Sequence, residues 1–136
     1  MVTITRRFEV DVAHRLLNHE SKCRNLHGHR YAFEVEIAGT RLDECGRLMD
    51  FSAVAALVGG WLDEKFDHGY VAQAGDPLVA VLEGLGLKVC VLQTPSSIEH
   101  LVRYVHERVD GLLPAGLQVV RVRGYETPNC WAESVL

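Results

Sequence analysis

A cysteine and two histidines lie within seven residues of one another in the stretch CRNLHGHRY, residues 23–31. His27 and His29 are two residues apart, so on a β-strand both side chains project from one face, with Cα atoms about 6–7 Å apart. Gly28 between them adds no side chain to the opposite face and lets another backbone approach closely. Imidazole nitrogen is a common ligand of zinc. The pair therefore indicates either a metal site or two ordinary strand residues, and a third ligand would decide between them.

The first strand of the chain supplies a candidate third ligand. In TITRRFEVDVAH, residues 3–14, apolar side chains alternate with charged ones, which predicts a half-buried antiparallel strand. His14 ends the apolar face, whose other members are Ile4, Phe8, Val10 and Val12. If residues 15–26 connect this strand to the next as a hairpin, then His14, His27 and His29 converge. Three histidines are typical of a catalytic Zn²⁺, which keeps its fourth position open for water or substrate.

Cys23 has three interpretations that spacing alone leaves open. It could be a fourth ligand that closes a purely structural Cys-His₃ site. It could instead be a reactive thiol beside the metal, acting as the thiolate. A free cysteine is also often a small buried hydrophobic residue. The polar neighbours in SKCRN, residues 21–25, argue against that third interpretation.

Further strands are predicted around this pair. HGHRYAFEVEIAG, residues 27–39, alternates in the same way and carries both histidines on its apolar face. LQVVRVRGYET, residues 117–127, predicts a later strand with Val120, Val122 and Glu126 on one face. The apolar run LKVCVL, residues 87–92, indicates a short additional strand.

Helical patterns lie between the strands. DFSAVAALVGGWLDEKF, residues 50–66, has apolar residues at helical spacing. A second helix begins near Ser97, where Ser96 and Glu99 match a capping box. The order β-β-α-(β)-α-β-β predicts an α+β fold, with an antiparallel four-stranded sheet covered by two helices on one face.

Composition narrows the class of protein. The 136 residues, 48% hydrophobic and 24% charged, suit a single globular domain spanning 1–136. A net charge of −4 with scattered Lys and Arg gives no basic face for nucleic acid. No apolar run approaches membrane-spanning length, and MVTITRRFEV lacks the apolar core of a signal peptide. Because the four cysteines form no Cys-x-x-Cys pair, we expect a reducing, cytoplasmic setting.

Six motifs occur together along the chain, in the order FEVDVAH, CRNLHGHRY, GRLMDF, FDHGY, SSIEHL and GYETPN. In this order and spacing, from Phe8 to Asn129, the sequence resembles the 6-pyruvoyl-tetrahydropterin synthase family. The three-residue gap between Cys23 and His27 is similar to that of the queuosine-pathway branch, the 6-carboxy-tetrahydropterin synthases. The longer gap typical of the pyruvoyl synthases is absent.

The resemblance implies roles for the matching residues. The family's zinc ligands match the three converging histidines, and its catalytic thiol matches Cys23. Asp67 and His68, in FDHG, match the pair that completes a Cys-His-Asp relay. Glu126 matches the acid that anchors the pterin ring, whose 2-amino group and N3–H present two parallel donors to a carboxylate.

The resemblance also implies substrate contacts at the start of the second helix. Ser97 and Glu99, in SSIEH, stand where the family usually shows Thr-Ala-Glu-Asn. Helix capping by Ser96 and Glu99 accounts for much of the same pattern.

The activity implied is a zinc-dependent conversion of 7,8-dihydroneopterin triphosphate to 6-carboxy-5,6,7,8-tetrahydropterin, with release of acetaldehyde and triphosphate. This reaction is an early step of queuosine biosynthesis. One alternative is the 6-pyruvoyl synthase reaction, in which only triphosphate leaves. Another, of a different class, is a zinc-binding assembly module without turnover.

The fold implied is the tunnelling fold. Subunits of that fold close their sheets side by side into a trimeric barrel, and two trimers stack as a hexamer. Such closure would protect the sheet edges that a single four-stranded sheet leaves open.

Overall fold

One six-stranded sheet carries the histidines, and the computed structural model describes it together with the rest of residues 1–136. The strands are β1 (Val2–His14), β2 (His27–Gly39), β3 (Gly69–Gln73), β4 (Val89–Leu92), β5 (Gln118–Thr127) and β6 (Cys130–Val135). Helix α1 runs through the consecutive segments Phe51–Val54, Ala55–Gly59 and Gly60–Lys65, of which the middle one is π-helical. Helices α2 and α3 span Leu78–Gly84 and Ile98–Asp110, and a 3₁₀ turn covers Lys22–Arg24. None of the helices has the length and apolar character needed to cross a membrane.

The strand order is β4-β3-β1-β2-β5-β6, and the sheet is mixed. β1, β2, β5 and β6 pair antiparallel, whereas β1–β3 and β3–β4 are parallel. The predicted α+β class is confirmed, but the prediction of four antiparallel strands with two helices is wrong. β3 and α2 were missed because each is only five to seven residues long and has no extended periodicity. Together with β4 they form a parallel crossover, which requires a connecting segment such as α2.

The long β1–β2 hairpin confirms the predicted faces. Its register places His14 opposite His27, and Val12 opposite His29. Val10 and Val12 are buried, as are Tyr31, Phe33 and Val35 on the partner strand. Residues 15–26 connect the two strands, as the hairpin interpretation required.

Helices α1 and α3 supply the apolar residues that cover this face. The buried helix side chains are Val54, Val58, Leu62, Leu101, Val102, Val105 and Val109. Helix α3 lies so close to β5 that a Cβ at Gly124 would stand 2.6 Å from Val102 Cγ1 and 2.9 Å from Ile98 Cδ1. Glycine at this position therefore permits α3 to pack closely against β5.

A β-bulge changes one predicted face. The register of β2 with β5 shifts between Glu36 and Ile37, so that Ile37 pairs with Val119. Val119 is consequently fully buried, while Val120, predicted to point inward, is only half-buried. The extra residue of a bulge reverses the alternation on one side of it. Val122 keeps its predicted inward position.

A buried ion pair ties the end of β1 to the β3–α2 connection. Asp76 is 4% exposed and accepts hydrogen bonds from Arg15 Nε at 3.0 Å and Arg15 Nη2 at 2.5 Å. The Tyr70 hydroxyl and the Leu78 amide donate to the same carboxylate. The hydrogen bonds from Arg15 hold the pKa of Asp76 at about 2, below its ordinary 3.8.

This pKa shift predicts an acid-sensitive contribution to stability. Asp76 stabilises the folded state fully above pH 3.8, and that contribution, about 2 kcal/mol, is lost as the pH falls from 3.8 to about 2. Urea unfolding between pH 2 and 5 measures it. The difference in unfolding free energy between the wild type and Asp76→Asn should shrink across this window. A difference that does not change with pH would contradict the assignment.

Candidate metal centre and active site

Three histidines from the β1–β2 hairpin form one cluster. The ligand nitrogens of His14, His27 and His29 all lie within 4.8 Å of one another. The ring centroids of His14 and His27 are 4.6 Å apart, and that of His29 is 5.2 Å and 5.1 Å from them. The period-two alternation and the hairpin register together produce this convergence.

Backbone carbonyls orient two of the three rings. His14 Nδ1 lies 2.7 Å from the Ser96 carbonyl oxygen, and His27 Nδ1 lies 2.7 Å from the Asn25 carbonyl oxygen. Because a carbonyl only accepts, each Nδ1 donates a proton, and each Nε2 keeps its lone pair. A second hydrogen bond of this kind is what fixes the tautomer of metal-binding histidines.

The third ring carries an unsatisfied nitrogen. His29 Nε2 is buried and has no hydrogen-bond partner. Burial lowers the pKa of both His14 and His29 below the ordinary imidazole value, which favours the neutral form that binds metals. Three imidazole nitrogens, one of them without a hydrogen-bond partner, fit a Zn²⁺ ion.

Glu126 lies beside the cluster in the same chain. Its Oε1 is 3.7 Å from His29 Nε2, and its side chain is partly exposed. It comes from β5, on the face that also presents Val122 and Gly124 to α3. The strand pattern predicted this orientation correctly, and the carboxylate remains open to a ligand with paired donors.

Cys23 lies in the connection between the two strands that carry the three histidines. Its carbonyl accepts a hydrogen bond from the Leu16 amide at 2.9 Å, which holds the 3₁₀ turn against the end of β1. The thiol is half-buried and free. It does not belong to the group of ligand atoms that the three histidines form. The structure therefore contains a His₃ cluster rather than a Cys-His₃ cluster.

Asp67 and His68 form a second group of polar side chains, between α1 and β3. Asp67 Oδ2 accepts a hydrogen bond from His68 Nδ1 at 2.9 Å, and Asp67 Oδ1 accepts one from the Asp11 amide at 3.0 Å. The bond from the Asp11 amide is the main cause of the lowered pKa of Asp67. His68 adopts a positive φ of 57°, and its side chain is 77% exposed. Asp67 therefore holds the His68 ring in place, and the exposed side chain leaves the Nε2 atom accessible.

Ser97 and Glu99 stand at the start of α3, where Ser97 rather than Ser96 is the N-cap. Ser97 Oγ accepts a hydrogen bond from the His100 amide at 3.4 Å, and Glu99 is exposed in the first turn. The predicted capping role of Ser96 is wrong, because Ser96 is completely buried and turned toward β1. Substrate contact by Ser97 and Glu99 stays a prediction.

Two cavities flank the cluster, and His29 lines both. The larger, about 600 Å³, also has His68, Asp11, Arg30 and Lys88 in its wall. The smaller, about 330 Å³, is lined on its polar side by Arg7, Glu9, Arg30 and Glu126. His29 and Glu126 thus both border the smaller cavity.

Two residues of the site were not predicted from the sequence as site residues. Tyr31 is completely buried, and its hydroxyl lies 3.1 Å from His14 Nε2 and 3.2 Å from His14 Nδ1. Burial raises the pKa of Tyr31 well above the ordinary phenol value, so the hydroxyl is protonated. Its position on the histidine face of β2 was readable from the alternation. Ser96 acts through its backbone carbonyl, for which residue type gives no signal.

Comparisons with known proteins identify the family of the chain. The family model described as 6-pyruvoyl tetrahydropterin synthase matches residues 3–135. A 6-carboxy-5,6,7,8-tetrahydropterin synthase of Rickettsia bellii is 35% identical over 98% of this chain and 99% of its own length. A probable 6-carboxy-5,6,7,8-tetrahydropterin synthase of Halobacterium salinarum is also 35% identical, over 90% of this chain and 79% of its own length.

Solved structures share the fold. The 6-pyruvoyl tetrahydropterin synthase of Caenorhabditis elegans matches with a TM-score of 0.72 at 23% identity, covering 99% of this chain and 95% of that protein. An uncharacterised protein of Wolinella succinogenes matches with a TM-score of 0.83 at 21% identity, covering 98% and 97%. With a family match over nearly its whole length, the chain belongs to the 6-pyruvoyl tetrahydropterin synthase family, and its resemblance to the 6-carboxy branch is confirmed.

Proposed function

We propose that this protein converts 7,8-dihydroneopterin triphosphate to 6-carboxy-5,6,7,8-tetrahydropterin, releasing acetaldehyde and triphosphate, in queuosine biosynthesis. The observation that carries this proposal is that the cluster of three histidines lies beside Glu126 in one chain. A structural zinc site needs no carboxylate beside its ligands, whereas a pterin-binding catalytic site does. The relatives named 6-carboxy-5,6,7,8-tetrahydropterin synthase support the carboxy product over the pyruvoyl product.

Zinc is the metal that the donor set favours. His14, His27 and His29 would hold it, and three protein ligands leave a coordination position for the substrate. Bound there, Zn²⁺ would polarise the hydroxyl groups of the substrate side chain and make their protons more acidic.

Cys23 and the Asp67–His68 pair are the proposed acid–base groups. Cys23, as thiolate, takes a proton from the substrate side chain. Asp67 accepts the Nδ1 proton of His68, so the Nε2 atom of that ring is the one that exchanges protons with the substrate. Asp67 itself is held by the Asp11 amide, which keeps the pair oriented before substrate arrives.

Glu126 is the proposed anchor of the pterin ring. Its two oxygens match the paired donors of the 2-amino group and N3–H, in a bidentate charge-assisted contact. Because Glu126 lies 3.7 Å from His29, the ring it holds extends its side chain toward the metal cluster. Ser97 and Glu99, at the start of α3, are proposed additional substrate contacts.

We also propose a homo-oligomer, a hexamer formed as a dimer of trimers. β4 and β6 are the edge strands of the sheet, and their unpaired backbone groups are available to a neighbouring sheet. The exposed His68 imidazole would gain cover from a neighbouring subunit in such an assembly. Sedimentation analysis measures the assembly, and a monomer at micromolar concentration would contradict it.

The activity test is to incubate the zinc-loaded protein with 7,8-dihydroneopterin triphosphate and to identify the products by mass spectrometry. Acetaldehyde together with 6-carboxy-5,6,7,8-tetrahydropterin supports the proposal. A 6-pyruvoyl product would assign the same site to the pyruvoyl reaction. Zinc binding without any turnover would favour the zinc-binding assembly module instead.

Replacing Glu126 with glutamine should lower kcat/KM by about 10- to 150-fold, because the charge-assisted contact to the pterin is lost. Zinc content should not change, since no histidine is altered. Steady-state kinetics and metal analysis measure the two effects. The matched control is Glu44→Gln at an exposed loop position, which should behave as wild type. Unchanged kcat/KM in Glu126→Gln would remove Glu126 from the substrate site.

A further inference from the structure

His14 is the most buried of the three histidines, and its orientation depends on one residue of the loop before α3. The ring is 2% exposed, and its Nδ1 proton is donated to the Ser96 carbonyl oxygen at 2.7 Å. Ser96 is 82 residues away along the chain and is itself completely buried. The tautomer of a zinc ligand on β1 is therefore fixed by the segment that leads into α3.

Ser96 also holds the backbone beside His14. Its hydroxyl donates to the Arg15 carbonyl oxygen at 3.2 Å. Ser96 thus binds two consecutive residues at the end of β1, one through its carbonyl and one through its side chain. Loss of the hydroxyl would remove the hydrogen bond to the Arg15 carbonyl. The Ser96 carbonyl would then no longer be held in a fixed position relative to the His14 ring.

Arg15 is in turn fixed by Asp76. Its Nε and Nη2 atoms each donate a hydrogen bond to one oxygen of the carboxylate, whose side chain is only 1% exposed. Tyr70 and the Leu78 amide occupy the remaining acceptor positions. A buried ion pair is weak evidence for stability, because an apolar replacement is often equally stable. A role in fixing geometry accounts for a buried ion pair beside a residue of the histidine cluster.

We propose that Ser96 and the Arg15–Asp76 ion pair are positioning residues of the metal centre. They hold His14 in the tautomer and orientation that bind Zn²⁺. This role rests on the proposed function. The path is continuous: Asp76 fixes Arg15, the Arg15 carbonyl fixes Ser96, and the Ser96 carbonyl fixes His14. Partners that orient metal-binding histidines typically contribute 10- to 100-fold in metal affinity, so loss of one is expected to weaken Zn²⁺ binding by roughly that factor.

The test compares Ser96→Ala and Asp76→Asn with the wild type in full-length protein. Zn²⁺ affinity is measured by competition with a chelator, and the Co²⁺-substituted proteins are compared by their visible absorption. Both variants keep the Ser96 carbonyl but loosen its position, so each should bind Zn²⁺ more weakly, by at most about 10- to 100-fold, and show an altered Co²⁺ spectrum. Ser96→Ala decides the matter alone if Asp76→Asn does not fold.

Two controls separate positioning from stability. Asp110→Asn removes a carboxylate that caps the Val119 amide at the far end of α3, and Val109→Ala removes core volume there. Both should keep wild-type Zn²⁺ affinity and spectrum, even where thermal stability falls. Equal weakening in Val109→Ala would reduce the effect to general stability and overturn the proposal. Wild-type affinity and spectrum in Ser96→Ala and Asp76→Asn would overturn it while leaving the proposed function intact, and a wild type that binds no Zn²⁺ would overturn both.

Discussion

Replacing Cys23 with alanine is expected to lower kcat by about 10²- to 10⁴-fold, the usual contribution of a positioned acid–base group. Alanine cannot accept a proton from the substrate, so the chemical step loses its base. The Zn²⁺ content should stay at the wild-type level, because Cys23 lies outside the histidine cluster. Single-turnover kinetics and metal analysis on the same preparation measure both quantities.

The control for this experiment is Cys45→Ala, which removes an exposed thiol from a loop remote in sequence from the histidines. That variant should retain full turnover. Loss of both Zn²⁺ and turnover in Cys23→Ala would mean that the thiol is a ligand and that the site is closed. Full turnover in Cys23→Ala would exclude the thiol from the chemistry.

Replacing His27 with alanine should remove Zn²⁺ from the protein and abolish turnover. His27 donates its Nδ1 proton to the Asn25 carbonyl, which leaves Nε2 for the metal. Since loss of an orienting partner alone costs 10- to 100-fold in affinity, loss of a ligand should weaken binding by about 100-fold or more. Because His27 is only half-buried, the variant should keep the wild-type fold. Its circular dichroism spectrum should therefore match that of the wild type.

His100→Ala is the matched control, since His100 lies on α3 outside the cluster. It should keep wild-type Zn²⁺ affinity and turnover. Retention of Zn²⁺ at wild-type affinity in His27→Ala would show that the cluster does not bind the metal through this ring.

The histidine cluster could be predicted from sequence because it depends on strong local patterns. Thirteen-residue strands alternate long enough for their faces to be read, and a hairpin connection fixes which residues meet. The inward orientation of Glu126 was predictable for the same reason. The bulge in β5 lies before Val122, so the residues after it keep the predicted alternation of faces. The orientation of Val120, which lies at that bulge, was not predictable.

The remaining parts depend on contacts that no local pattern encodes. Asp67 is oriented by the backbone amide of a residue 56 positions away, and only the family resemblance pointed to its role. Ser96 works through a carbonyl, and Asp76 through Arg15, which follows the end of β1 and is 61 residues away along the chain. The crossover through β3, α2 and β4 was incomplete in the prediction because its elements are too short to show a period.

Zinc K-edge X-ray absorption of the wild-type protein tests the central claim most directly, since it identifies the atoms bound to the metal. An open His₃ centre predicts nitrogen and oxygen neighbours at about 2.0–2.1 Å and no sulfur. A sulfur neighbour at about 2.3 Å that disappears in Cys23→Ala would contradict the account, because the site would then be a closed structural one.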